Sequence, residues 1–261
     1  MAIGIDAIYN EDCLEGMKRI PDGSVDCIIC DLPYGVLNRG NKHAQWDRPI
    51  PSAPLWEQYK RVIKDNGAIL LFCQGMFTAQ LMMSQPKLWR YNLIWDKGRV
   101  TGFLNANRMP LRCHEDIAVF YKKLPTYNPQ MRKCEPHERN HSRGNGSHKI
   151  TNRCYGNFHE PANFLSDEKY PTSIISAPKE HMADMIHPTQ KPVELIRYLI
   201  RTYTNRGGGL FSTTAQGAER LLSPPFARSG TLSDLNSIPN TTRWPCAEYR
   251  PNGNNRHYSN T

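Results

Sequence analysis

Residues 31–35, Asp-Leu-Pro-Tyr-Gly, place a carboxylate, a proline-directed backbone, an aromatic ring and a glycine at consecutive positions. They follow VDCIIC (25–30), an apolar run led by the turn-forming Pro21, Asp22, Gly23 and Ser24, so they stand at the carboxyl end of a buried central strand. Ligands bind at that end of an open α/β sheet. Such a set suits a planar base with an exocyclic amine. Asp31 and the Leu32 carbonyl can accept its two N–H hydrogens, Tyr34 can stack on its face, and Gly35 lets the chain turn away. Leu32 precedes Pro33, which pushes it into an extended conformation that aims its carbonyl into the site. The same five residues also suit a strand ending in an ordinary proline turn, so the chemistry needs further signals.

A second reactive-looking region lies at 124–170, where hydrophobic periodicity disappears. Between Met131 and Cys154 six basic residues (Arg132, Lys133, Arg139, Arg143, Lys149, Arg153) face only Glu135 and Glu138. This reads as a solvated loop or as an arm contacting phosphates, and the overall charge makes DNA contact a serious alternative. Cys134, His137, His141 and Cys154 have ligand chemistry for zinc, but their spacing matches no standard finger, so no metal is expected. Cys27 and Cys30 have redox or metal spacing, yet on a strand their side chains point to opposite faces. Together with Cys73 they are expected to be reduced core thiols.

The elements that must position these groups alternate in strand and helix patterns over the first 125 residues. After 25–30, Ser52 and Pro54 offer an N-cap and an early helical proline. Leu55, Trp56, Tyr59, Val62 and Ile63 then recur at helical spacing until Asn66 and Gly67. Residues 68–73 (AILLFC), 91–95 and 115–121 read as further strands, and the order strand, helix, strand predicts right-handed crossovers and a largely parallel sheet. Pro192 starts another helix, with Val193, Ile196, Leu199, Ile200 and Tyr203 along one face.

The chain's 261 residues suffice for one α/β domain, with or without an appendage, and rule out two large ones. No stretch approaches the roughly 20 apolar residues of a membrane helix. The first ten residues carry Asp6 and no Lys or Arg, so a secretory signal is not expected and a cytoplasmic address is. A net charge of +9 favours a polyanionic partner, with nucleic acid the natural candidate.

With residues 31–35 in this setting, the sequence resembles the amino-group DNA methyltransferases, whose signature is Asp, Asn or Ser followed by Pro-Pro-Tyr. Leu32 replaces the first proline; the leading Asp31 resembles the adenine-N6 enzymes more than the cytosine-N4 ones, where serine is usual. The likeness also takes in 12–17 with 21–26, Trp46 with Asp47, 67–72 and 91–97. A second signature, HPTQKP at 187–192, looks like the family's cofactor segment in members whose catalytic motif precedes the cofactor loop. Free N–H groups at a helix start, helped by Lys191, can hold the carboxylate of a methionine moiety.

The resemblance implies a Rossmann-like α/β sheet and direct methyl transfer from S-adenosylmethionine to a base flipped out of double-stranded DNA, without metal or covalent intermediate. Asp31, Leu32, Pro33 and Tyr34 would be catalytic, and Asp31, His187, Thr189, Gln190 and Lys191 would bind cofactor. The insertion at 125–170 would touch DNA through its six basic residues. Other readings are a DNA-binding remnant without turnover, or action on cytosine N4 or RNA.

The chain departs from that pattern after about residue 205. Lys does not occur after Lys191, nor Val after Val193, and no element can be drawn through the Thr-, Ser-, Asn-, Pro- and Arg-rich remainder. The glycine-rich cofactor loop expected there is missing. Codons permitted for FSTTAQGAERL (211–221), started one base earlier, allow Val-Leu-Asp-Asn-(Ser or Cys)-Ala-Gly-Ser-Gly-Thr-Thr, and those for 231–241 allow Asp-Phe-Ile-Gly-Phe-Glu-Leu-Asp-Pro-Glu-Tyr. The expectation is a catalytic domain over 1–204, a sheet incomplete on its cofactor side, and an out-of-frame, poorly ordered tail over 205–261.

Overall fold

Consecutive buried residues of a strand must find apolar cover on both sides, and here two helical layers supply it. The computed structural model describes residues 8–37, 47–134, 168–179, 190–213 and 218–222. Strand β2 (Val25–Asp31) pairs in parallel with β3 (Ile63–Cys73), from Cys27 opposite Ala68 to Asp31 opposite Phe72. Ile28, Cys30, Ile69 and Leu71 enter one core cluster, while Cys27, Ile29, Leu70 and Phe72 enter the other. Cys27 and Cys30 are therefore buried thiols on opposite faces, neither in a disulfide, and burial pushes the Cys27 thiol well up.

Helix α2 (Ser52–Val62) covers the first face with Leu55, Trp56, Tyr59 and Val62, and α1 (Cys13–Met17), capped by the Asp12 carboxylate, packs beside it. Helix α4 (Val193–Tyr203) covers the second. Its buried stripe is Leu195, Leu199, Thr202 and Tyr203; Val193, Ile196 and Ile200 flank it half-buried, a rotation of the predicted face. Ser52 is not a cap. Pro51 holds that position with an extended backbone and no side-chain bond, and Ser52 is already helical. The helix also stops at Val62, not near 66, because Ile63 pairs with Val25 and starts β3 early.

The sheet order is β1 (Ile8–Asn10), β10 (Ala218–Leu222), β9 (Leu210–Thr213), β2, β3, β5 (Arg112–Phe120), β4 (Trp89–Thr101) and β8 (Ile174–Ser176). It is more mixed than predicted. Helix α3 (Met76–Ser84) carries the chain from β3 to β4, whereas β5 returns directly from β4 and so runs antiparallel to both its neighbours. The basic segment begins and ends in a ribbon: β6 (Arg132–Lys133) pairs with β7 (Glu168–Lys169). Asn128 ties its entry to the end of α4, giving its backbone N–H to the Thr202 carbonyl and its side-chain amide to those of Arg201 and Thr204.

The expectation that no element follows residue 205 is corrected by β9 and β10. Leu210 is buried beside Leu195, Leu199 and Tyr203, and β9 lies parallel to β2, with Cys27 opposite Leu210 and Cys30 opposite Thr213. Gly209 donates to the Asp26 carboxylate, and the backbone N–H of Asp26 returns a bond to the Gly209 carbonyl. Strand pairing is made by backbone groups, so a short segment with one apolar anchor can fill a position that its side-chain pattern does not announce. The sheet thus continues past β2 on the side expected to be incomplete.

Candidate active site

Asp31 ends β2 on the same sheet edge as the end of β3 and the start of β5. Proline at 33 takes the chain off the sheet, and Leu32 turns into the α2-side core, leaving Tyr34 to fold back on the carboxylate. Tyr34 Oη donates to Asp31 Oδ1 at 3.1 Å, and its ring stacks on Phe77 of α3 with centroids 5.0 Å apart. Gly35 has φ +70°, where side chains are strained, and a Cβ there would lie 2.6 Å from Pro49 Cγ. Asp47, itself buried, then fastens the turn by accepting the N–H groups of Gly35, Val36 and Leu37 at 2.9, 2.8 and 2.6 Å. Trp46 lies outside the described residues.

Lys191, just before α4, reaches Asp31 Oδ1 at 3.1 Å and Glu115 Oε2 at 2.9 Å. Its ammonium also lies 5.0 Å from the Phe72 ring centroid and 5.6 Å from that of Trp95. Lys97, only 3% exposed, reaches Glu115 Oε1 at 3.4 Å. The four groups form a partly buried line of alternating sign, Asp31, Lys191, Glu115 and Lys97, with Lys97 the most enclosed.

The two carboxylates do not share a fate. Burial pushes Asp31 up, and Lys191 recovers only part of that shift. Burial also pushes Glu115 up, but two ammonium groups, Lys191 and Lys97, outweigh it and hold Glu115 below the usual range. Burial alone would lower Lys191; Asp31 and Glu115 raise it instead. Asp31 is thus a comparatively basic, partly buried carboxylate at the end of a central strand, suited to accept a hydrogen bond from an amine and to stabilise positive charge developing on it.

Of the residues predicted to bind cofactor, Asp31 and Lys191 are brought into contact, Gln190 adjoins Lys191, and His187 and Thr189 lie outside the described residues. Arg132 and Lys133 stand exposed on the β6–β7 ribbon; Arg139, Arg143, Lys149 and Arg153 also lie outside. So do three of the four zinc candidates. No metal-binding cluster of His, Cys, Asp or Glu occurs among the described residues, and none of their helices is long and apolar enough to cross a membrane. Glu115 and the pairing role of Lys97 were not foreseen. An acid at the head of an apolar strand and a lysine after Trp95 and Asp96 carry no mark of being partners 18 positions apart.

A family model described as DNA methylase, of the N6/N4 type, matches residues 25–211, most of the chain and both halves of this site as far as β9. The chain belongs to the N6/N4 DNA methylase family. Among its relatives, the type II methyltransferase M.BglII of Bacillus subtilis is 25% identical over 224 residues, covering 77% of this chain and 57% of the relative. The type II methyltransferase M.HinfI of Haemophilus influenzae is 29% identical over 136 residues, covering 42% and 38%. The chain therefore spans about half or less of the length of these two family members. The fold is also that of the PvuII DNA methyltransferase (cytosine-N4-specific), with a TM-score of 0.53, 10% identity, and coverage of 81% of this chain and 74% of that one. Within the family's sheet, Asp31 to Gly35 occupy the exit of β2.

Proposed function

We propose that the chain is a DNA methyltransferase acting on the exocyclic amine of a base flipped out of duplex DNA, with adenine N6 as target. The observation that carries this reading is the partly buried Asp31 at the exit of a central parallel strand, hydrogen-bonded to Tyr34 and ion-paired to Lys191. Asp31 accepts one amine hydrogen and the Leu32 carbonyl the other, so the nitrogen is held tetrahedral with its lone pair directed at the methyl donor. The Tyr34 ring, backed by Phe77, presents its other face to the base.

S-adenosylmethionine, when bound, supplies an electrophilic sulfonium methyl. The residues present fit it in kind: Lys191 is a partly buried ammonium for its carboxylate, and Asp31 a carboxylate for its amino group, with His187, Thr189 and Gln190 close to Lys191 in the sequence. Asp31→Ala, made in a frame-restored protein, tests the reading. Methylation of duplex DNA should fall at least about 100-fold while DNA affinity stays within about threefold. Near-normal turnover in the variant sinks the assignment.

A second reading, a DNA-binding chain without turnover, is favoured by residues 211–261, which spell no glycine-rich loop where the family's would follow the strand. We place a one-base frame slip near 206–209. The family match stops at residue 211, and the alternative frame puts Val-Leu-Asp where β9 runs. Sequencing the coding DNA and titrating S-adenosylmethionine by calorimetry decide between the two. The chain as written should bind weakly, and a one-base correction should tighten binding by tenfold or more. Micromolar affinity of the uncorrected chain overturns the frame slip.

A further inference from the structure

The hairpin joining β4 to β5 has no role in the site as described, yet it rises from the same sheet edge. Its base is stapled to the site's ion pairs: Lys97 Nζ donates to Thr101 Oγ1 at 3.5 Å, and that hydroxyl donates to the Arg112 carbonyl at 3.2 Å. Thr101 and Arg112 are the last paired residues, and all of 98–110 is exposed. Gly102, with φ +84°, turns the chain into a single 3-10 turn, Phe103–Asn105. At this tip Phe103 is 75% and Leu104 83% exposed, with Val100 and Met109 more than half exposed behind them. Large apolar side chains at the end of a projecting turn have no cover within the described residues.

Charge narrows what could cover them. Between Asp96 and Glu115 the chain has no acidic residue, and Arg99, Arg108 and Arg112 are all exposed on the hairpin's arms. An apolar protein partner would leave three guanidinium groups to desolvate, whereas a nucleic acid duplex offers phosphates for the arms and stacked bases for the tip. Flipping a base leaves a hole in the stack, and an apolar wedge inserted there lowers the cost of opening. From Lys97 at the hairpin's base, three ion pairs running through Glu115 and Lys191 lead to Asp31, where that flipped base would be received.

Resting on the methyltransferase reading above, we propose that the β4–β5 hairpin is a duplex-opening wedge, with Phe103 and Leu104 entering the base stack and Arg99, Arg108 and Arg112 on the flanking phosphates.

The test uses fluorescence anisotropy with two short random-sequence DNA probes, an intact duplex and the same duplex with one abasic site. The abasic site offers a ready hole, so the full-length chain should prefer that probe by about tenfold. Phe103→Ser with Leu104→Ser should abolish the preference and leave the salt slope unchanged. Arg99→Gln, Arg108→Gln and Arg112→Gln together should keep the preference and flatten the slope of log Kd against log salt by about 2.7. Every substituted residue is exposed, and unchanged thermal melting confirms the fold. A chain with no preference for the abasic probe, or a preference surviving the tip substitutions, overturns the wedge. An unchanged slope in the arginine variant overturns the phosphate contacts. If duplex binding is normal in these cases, the methyltransferase reading stands; a chain that binds neither probe takes down both.

Discussion

Asp31 and Glu115 share one ammonium, Lys191, and are pushed in opposite directions because Glu115 has a second cation in Lys97. Opposite consequences for stability follow. Glu115 is held below its ordinary value, so its ionised form favours folding above the unfolded carboxylate pKa of about 4.3, and that contribution is lost as pH falls through the lower folded value. Asp31 is raised, so ionising it opposes folding as pH climbs through its unfolded and then its folded value, and the cost is fully present near neutrality. Glu115→Gln leaves Lys97 without a carboxylate and should cost about 3 kcal/mol at neutral pH, measured by urea unfolding. Asp31→Asn should leave the melting temperature equal or higher while removing activity. A Glu115→Gln protein as stable as the parent, or an Asp31→Asn protein several degrees less stable, contradicts this division between a structural and a functional acid.

At the scale of elements, the turn after β2 is shaped from outside itself. Asp47 accepts three consecutive N–H groups from 35–37, a small nest that a neutral or shorter side chain cannot satisfy. Asp47→Ala should leave three part-buried N–H donors without their acceptor and cost about 2 kcal/mol. Because the turn carries Tyr34 back to Asp31, kcat should fall by more than the stability loss explains. Gly35→Ala tests the same turn from the opposite side, since its Cβ meets the Pro49 ring. Retained full activity in both variants would mean that the turn does not position Tyr34.

For the whole molecule, the charge of +9 bears on how any duplex is met. The ribbon β6–β7 brings the two ends of the basic segment together, Arg132 and Lys133 beside Lys169 and Glu168. Neutralising Arg139, Arg143 and Lys149 should weaken DNA binding and flatten the log–log salt slope by about 2.7, as three released phosphate contacts require. Additivity with the hairpin arginines is expected if the two regions touch different phosphates; an unchanged slope would leave the segment a solvated loop.

Short-range patterns were enough to place β2, α2, most of β3 and α4, because burial on one face imposes a period that a single chain segment displays. They also marked Asp31, Tyr34 and Lys191, residues whose chemistry is evident from their immediate neighbours, and the opposed faces of Cys27 and Cys30. Partnership across distance was not legible. The pairing of Glu115 with Lys97 and Lys191 spans 18 and 76 positions, and nothing in local spacing encodes which strands bring them together. The reversal of β5 likewise depends on a hairpin whose exposed apolar tip resembles, by composition, part of a strand. Strand β9 was missed for a related reason: backbone hydrogen bonds to β2, one buried Leu210 and the Gly209–Asp26 contacts hold it in place, and each of these exists only once the sheet has formed.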